Sequence, residues 1–380
     1  MKETNFNTKT VHFQTKEPAR NASKAKPIYQ TSAFVFKDLD DMESFYEGDK
    51  EYLYSRYSNP NTDDLGKGVA LLEETDDGVA ASSGMAAILT GVLAVASTGD
   101  HVIASDDLYG GTYQLFAEEL PNFGIDVSFV SFQDLTIVKE AFTDKTVLLY
   151  TESVTNPLLR VEKLEEVIAL AHEKGVKTMI DNTFATPYLL QPATLGADLV
   201  VHSATKYIGG HSDVTAGVLV GEQSLIDAAK GKVSTLGCNL SPFEAWLACR
   251  GLKTLSVRME RQSHNAKRLS EALKAHAGVE RVFYPQFVSE KGNGAMVSVD
   301  LANHINVEQF FCSLGWVKIA PTLAGVETTV SYPLRTSHRT VPDELRTELG
   351  IGTQLVRISV GIEDENDIID AFTQAIEKAE

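Results

Sequence analysis

From residue 79 to residue 220 short apolar runs alternate with longer, helix-forming ones, and few folds accept that rhythm. "HVIAS", "IDVSFVS", "TVLLYTES", "VKTMID", "ADLVVHSATK" and "TAGVLVG" read as strands. "VAASSGMAAILTGVLAVAS", "TYQLFAEELPNFG", "LTIVKEAF" and "KLEEVIALAHEKG" read as the helices between them. Strands that are short and apolar throughout must be buried on both faces, and a helix between successive strands makes them parallel. The expected fold is α/β, with a large, mostly parallel sheet covered by helices on both sides. Residues 241–275 predict one long helical stretch, opened by Ser241 as N-cap and Pro242 as first helical residue. Beyond it, "GAMVSVDL" and "LVRISVGIE" as strands, with "VEQFFCSL" and "ENDIIDAFTQAIEKA" as helices, predict a smaller C-terminal α+β domain. The first sixty or so residues read as irregular and polar. The expected division is an arm over 1–62, a large domain over 63–255 and a small domain over 256–380.

Charge narrows the function. The chain has 34 Lys and Arg against 52 Asp and Glu, a net charge of −18, which opposes a role built on nucleic-acid phosphates or anionic membranes. It leaves room for a local basic pocket that holds a small anion. The three cysteines, Cys238, Cys249 and Cys312, have no metal-like pairing, so neither a disulfide framework nor a metal site is expected. "MKETNFNTKTVHFQ" lacks the apolar core of a signal peptide, and no run approaches the ~18 apolar residues of a membrane span. The expectation is a cytoplasmic protein.

In open α/β sheets ligands bind beyond the carboxyl ends of the strands, and three features fall there. Ser82-Ser83-Gly84 precedes a strong helical run, whose first amides and dipole favour a phosphate, although an ordinary serine N-cap would read the same. Asp181 ends an apolar strand, where a buried carboxylate needs a cation or N–H donors; a structural ion pair is the plain alternative. "HSATKYIGGHSDV" sets Lys206 among hydroxyls and glycines, one strand–helix–strand step after Asp181. A solvated lysine is the ordinary reading, but a desolvated one can act as a nucleophile that forms an imine. Taken together, a lysine, an acid for a pyridine nitrogen and a phosphate cradle are the set that pyridoxal phosphate requires.

These segments also carry a family resemblance. "PIYQTSAF", "YSRYSNPN", "ASSGMAAI", "LYGGTY", "DNTFATPYLLQP", "HSATKYIGGHSDVTAG" and "VRISVGIED" occur in order along nearly the whole chain, and the series resembles the Cys/Met-metabolism family of fold-type-I pyridoxal-phosphate enzymes. The resemblance implies an internal aldimine on Lys206, Asp181 against the pyridinium nitrogen, and phosphate contacts from Gly84, Met85, Ser203 and Thr205. It implies that Tyr54 and Arg56 reach the phosphate of a neighbouring subunit, with Tyr54 also bordering the substrate. Tyr109 is expected to stack on the ring and assist the leaving group, and Asn156 to lie by the phenolic oxygen. Arg357 is expected to clamp the substrate α-carboxylate, with Thr322 beside it. A homotetramer built as a dimer of dimers follows from the same resemblance, with a small amino acid as the only other partner.

The expected reaction is α,γ-elimination on cystathionine, homocysteine or methionine. Alternatives are γ-replacement, as in cystathionine γ-synthase or O-acetylhomoserine sulfhydrylase, and cystathionine β-lyase activity. A cofactor-free lysine-imine enzyme would leave Asp181 idle, and a silent relative would be expected to have lost Lys206 or Arg357. Some positions depart from the family. Pro321 and Thr322 stand where cystathionine-using members often carry an acid and a serine, Gly111 replaces a cysteine of many methionine γ-lyases, and the stretch from Tyr284 to Gly294 is short.

Overall fold

The computed structural model describes residues 4–14, 23–337, 339, 344, 346 and 350–380. Its larger sheet has seven strands: β1 Asp77–Ala81, β2 His101–Ser105, β3 Asp126–Val130, β4 Thr146–Glu152, β5 Lys177–Asp181, β6 Leu199–His202 and β7 Gly217–Gly221. They lie in the order β1-β7-β6-β5-β4-β2-β3. The run from β3 to β6 is parallel, while β7 is antiparallel to both β6 and β1. β2, β6 and β7 are buried at every position, the burial on both faces that unbroken apolar strands demand. Helix Gly84–Val95 packs on one side of the sheet and helix Pro60–Glu73 on the other. The apolar packing is dense. Phe116 and Tyr150, both fully buried, place their rings 4.8 Å apart, and each side chain of this size stabilises the fold by roughly 1.5–3 kcal/mol when removed from water.

Three readings of the sequence need correction. Val79-Ala80-Ala81 belong to β1, and the helix starts only at Gly84, because Ser83 caps it by accepting from Ala86 N at 3.1 Å. The stretch 241–275 is two helices, Pro242–Leu252 and Leu255–Lys274. Thr254 turns its hydroxyl back to Gly251 O at 3.1 Å, which offers the chain a local alternative to continuing the first helix. Ser241 does hold the N-cap position with Pro242 after it, but its hydroxyl makes no capping bond. The N-terminal segment is less irregular than its composition implies, since Phe6–His12 and Leu39–Tyr46 are helical.

The second sheet follows the helix Leu255–Lys274. It comprises β8 Val279–Phe283, β9 Met296–Leu301, β10 Lys318–Ile319, β11 Thr329–Ser331 and β12 Leu355–Ser359, ordered β10-β11-β12-β9-β8. Its own core joins Val297, Val299, Val356 and Ile358 to Ile368 and Phe372 of the amphipathic helix Glu365–Glu377. No helix among the described residues is long and apolar enough to cross a membrane.

Candidate active site

Parallel strands end together, so the carboxyl edge of the large sheet collects the residues that terminate β4, β5 and β6. Glu152 and Asp181 are register partners, and Asp181 faces Val201 on its other side. A cavity of about 440 Å³ opens on this edge, between it and the loops of the smaller sheet. Asp181 lies at the cavity wall with Thr183 N donating to Oδ1 at 2.9 Å and the Tyr150 hydroxyl 3.5 Å from Oδ2. Burial raises its pKa despite those donors. Burial, and then the Asp181 charge, push the Glu152 carboxyl well up as well. Neighbouring carboxyls at the ends of paired strands oppose each other's ionisation, which a cation would relieve. No lysine or arginine pairs with Asp181 among the described residues.

Lys206 sits in the turn after β6, with its amide bonded to Ser203 O at 3.0 Å. Its Nζ points into the cavity and donates to Thr322 Oγ1 at 3.3 Å. Burial, followed by the nearby Arg357 charge, lowers its pKa to about 8. A substantial fraction is therefore neutral at mild pH, as a nucleophile or base requires. Thr205 also lines the cavity, but its hydroxyl donates to Ala216 O at 3.1 Å, so it must turn before it can donate to an anion.

Helix Gly84–Val95 points its N-terminus at the same cavity. The Gly84 and Met85 amides meet no acceptor among the described residues, as expected of the first helical turn. A Cβ at Gly84 would sit 2.8 Å from Ser203 Cβ and 2.9 Å from its Oγ, so glycine is what lets the Ser203 hydroxyl approach the amides. Together they form an anion cradle. Cradle, lysine and unpaired buried carboxylate match the phosphate, aldehyde and pyridinium of pyridoxal phosphate, so the residues fit that group.

Across the cavity, Arg357 lies on β12, buried, with Nη1 on Asn156 Oδ1 at 2.8 Å and Nε on Ser331 Oγ at 3.1 Å. Burial brings its pKa down to about 10. It remains a cation, has no carboxylate partner among the described residues, and lines the cavity. Tyr109 opens the helix Gly110–Gln114 and gives its amide to Glu152 Oε1 at 2.7 Å. A Cβ at Gly111 would lie 2.6 Å from Tyr109 Cε1; the ring takes the space a larger residue would need.

The structure thus brings Gly84, Met85, Tyr109, Asn156, Asp181, Ser203, Thr205, Lys206, Thr322 and Arg357 to one cavity. It does not bring Tyr54 or Arg56 there. Arg56 instead bonds Ser234 O at 3.1 Å and lies over the rings of Tyr54 and Tyr57. Sequence reasoning passed over Glu152, although it ends an apolar strand as Asp181 does, and the same rule would have found it. It also passed over Thr183, Phe184 and Arg335, which line the cavity from loops without periodic signal.

Behind this edge the buried Glu162 lies within electrostatic reach of Asp107 and Arg160. Its pKa is raised from 4.5 to about 7, by burial first and only partly offset by Arg160. Below about 4.5 the carboxyl is protonated in folded and unfolded chains alike, and the stability it contributes is lost as pH rises through 7. Glu162→Gln is expected to stabilise the protein by up to about 3 kcal/mol at pH 8 and to change little near pH 4. Denaturant melts at the two values check this.

Comparison with known proteins agrees with the cavity's chemistry. The family model described as "Cys/Met metabolism PLP-dependent enzyme" matches residues 7–377. A cystathionine beta-lyase of Lactococcus lactis subsp. cremoris is 39% identical, over 99% of this chain and 100% of that protein. A cystathionine gamma-lyase of Bacillus subtilis is 38% identical, over 97% and 98%. A crystal structure of a putative O-acetylhomoserine (thiol)-lyase from Campylobacter jejuni superposes with a TM-score of 0.92 at 29% identity, covering 98% of this chain and 100% of the other. That structure carries pyridoxyl-lysine monophosphate.

Proposed function

The chain belongs to the Cys/Met-metabolism family of pyridoxal-phosphate-dependent enzymes, and from that premise we propose that it cleaves sulfur amino acids by α,γ-elimination, with cystathionine, homocysteine or methionine as substrate. The observation that carries the reading is the meeting of Lys206, Asp181 and Arg357 around one cavity, each without an ion-pair partner among the described residues. Pyridoxal phosphate, when bound, supplies a ring that accepts the electrons released at the substrate α-carbon. Lys206 would hold the cofactor, and its Nζ, whose pKa burial lowers, is the base for the substrate α-proton and for protons at the β-carbon. Thr322 fixes the rotamer of that amine through the 3.3 Å bond. Asp181 would keep a proton on the ring nitrogen, and the Gly84 and Met85 amides with Ser203, joined by Thr205 once its hydroxyl turns from Ala216 O, would take the phosphate. Arg357 binds the substrate carboxylate as a bidentate fork, held in aim by Asn156 and Ser331. Tyr109, at the cavity wall, would assist the leaving group.

A β-lyase reading is favoured by the similarity to the Lactococcus enzyme, and γ-replacement on an acylated homoserine is the other alternative. Incubation with cystathionine separates the two eliminations. 2-Oxobutanoate with cysteine supports the γ-lyase, whereas pyruvate with homocysteine would replace it by the β-lyase. Cystathionine formed from O-acetylhomoserine and cysteine, with no 2-oxo acid, would show replacement.

Tyr54 and Arg56 supply the reading of the assembly. They lie outside their own chain's cavity, yet an arginine suits a phosphate, so we place them at the site of a second subunit in a dimer of dimers. Mixing Arg56→Ala with Lys206→Ala protein, each inactive, is expected to restore up to about a quarter of the activity after subunit exchange, because a hybrid dimer keeps one intact site of two. No recovery after verified exchange would contradict shared sites. The three cysteines are free thiols, which suits a reducing cytoplasm.

A further inference from the structure

Among the polar side chains that the helix Leu255–Lys274 buries, the three largest are Arg258, Gln262 and Asn265, exposed by 4%, 0% and 1%. Steps of four and three residues put them on one face, and most of their donors go to backbone carbonyls. Arg258 donates through Nη1 to Tyr207 O at 2.7 Å, through Nη2 to Gly251 O at 2.8 Å and through Nε to Thr254 Oγ1 at 3.1 Å. Tyr207 follows Lys206, so the guanidinium grips the turn that carries the amine. Gly210 closes that turn at φ 71°, with its amide on Lys206 O at 2.7 Å, and a Cβ there would run into the guanidinium. One helical turn on, Gln262 Nε2 donates to Gly325 O at 2.9 Å and Val360 O at 3.0 Å. Asn265 Nδ2 then donates to Gly361 O at 3.0 Å and Glu363 O at 2.9 Å. Gly325 ends the loop of Thr322, and Val360 and Gly361 follow the strand that bears Arg357.

Packing alone does not call for this face. Arg258 pairs with no carboxylate among the described residues, and an uncompensated buried charge is costly. The side-chain oxygens of Gln262 and Asn265 are buried without a partner, each a penalty that an apolar residue would avoid. What the three residues have in common is that each has a donor on a segment next to Lys206, Thr322 or Arg357.

We propose that this helical face is a positioning device that fixes the separation of Lys206 and Arg357, with Arg258 holding the lysine turn and Gln262 and Asn265 holding the loops around the arginine. The inference rests on the roles given above to those two residues. It is tested by binding rather than turnover. Glycine and methylamine both present an amine to the holoenzyme, but only glycine adds a carboxylate, and the Kd of each is read from the visible absorbance. Gln262→Met and Asn265→Leu are expected to weaken glycine on the order of ten-fold relative to methylamine. Arg258→Lys, which keeps the charge and loses the fork, is expected to weaken both ligands equally and to slow cofactor uptake by the apoprotein. Should Gln262→Met fail to fold, Gln262→Asn reads the same ratio. An unchanged glycine-to-methylamine ratio in folded Gln262 and Asn265 variants would overturn the proposal. If Arg357→Lys also leaves the ratio unchanged, the role of Arg357 fails first and the proposal falls with it. If Arg357→Lys alone shifts the ratio, the helical face is wrong and the site reading stands.

Discussion

Lys206→Ala is expected to lower turnover by at least about 10³-fold, within the range that one positioned base contributes, and to remove the covalent link to the cofactor. The loss is chemical and not a loss of folding. Burial lowers the lysine from 10.5 to about 8, so at pH 7 the folded chain must keep a desolvated ammonium, at a cost of about 3 kcal/mol. The sign follows from linkage: a depressed lysine pKa destabilises the folded state below about 8, and the penalty fades as pH rises towards 10.5. Removing the amine relieves that cost while losing the packing of its methylenes, and the two offset. The apoprotein variant is therefore expected to melt at pH 7 no lower than the parent. A variant that melts normally and turns over at a tenth of the parent rate would contradict the assignment.

Asp181→Asn is expected to cost about 3–5 kcal/mol in cofactor affinity and turnover combined, roughly 10²- to 5 × 10³-fold. The carboxylate ends β5 in a wall that already contains Glu152, and burial holds its pKa up. An ionised Asp181 is tolerated there only opposite a cation, so the pair with a protonated ring nitrogen is buried, and breaking one member leaves the other charge unpaired. Glu152→Gln serves as the contrast. Its carbonyl can still accept from Tyr109 N, which Glu152 Oε1 does at 2.7 Å, and its charge is already suppressed by burial. A loss below about ten-fold is expected for it. Cofactor titration of the two apoproteins separates the cases: equal losses would mean that the charge at 181 has no special role.

Periodicity explains why the large sheet was legible and its rim was not. Strands such as "HVIAS" and "VKTMID" announce themselves because burial on both faces keeps their central positions largely apolar, and the motifs at their ends follow from strand direction alone. β1 was hidden because "VAASSG" joins "MAAILTGVLAV" without a break in composition, and only the Ser83 cap separates strand from helix. The short β10 and β11 pair three residues or fewer, too few for alternation to show. In the site, Lys206 and Asp181 were legible because each is a charge at the end of an apolar run. Arg258, Gln262 and Asn265 sit at helical spacing among charged residues, where polar side chains on a helix ordinarily face water, and their burial appears only once the lysine turn packs on the first and the loops of the small sheet on the other two. Thr205 was read as an anion donor from its place in the motif, yet its proton is spent on Ala216 O, a tertiary contact no local pattern records.

The most direct test is peptide mapping of the borohydride-reduced holoenzyme by mass spectrometry. A single added pyridoxyl phosphate group on Lys206 is the result required by the cavity's geometry. The same mass on another lysine, or protein that takes up no such group when offered it in excess, would contradict the account at its root.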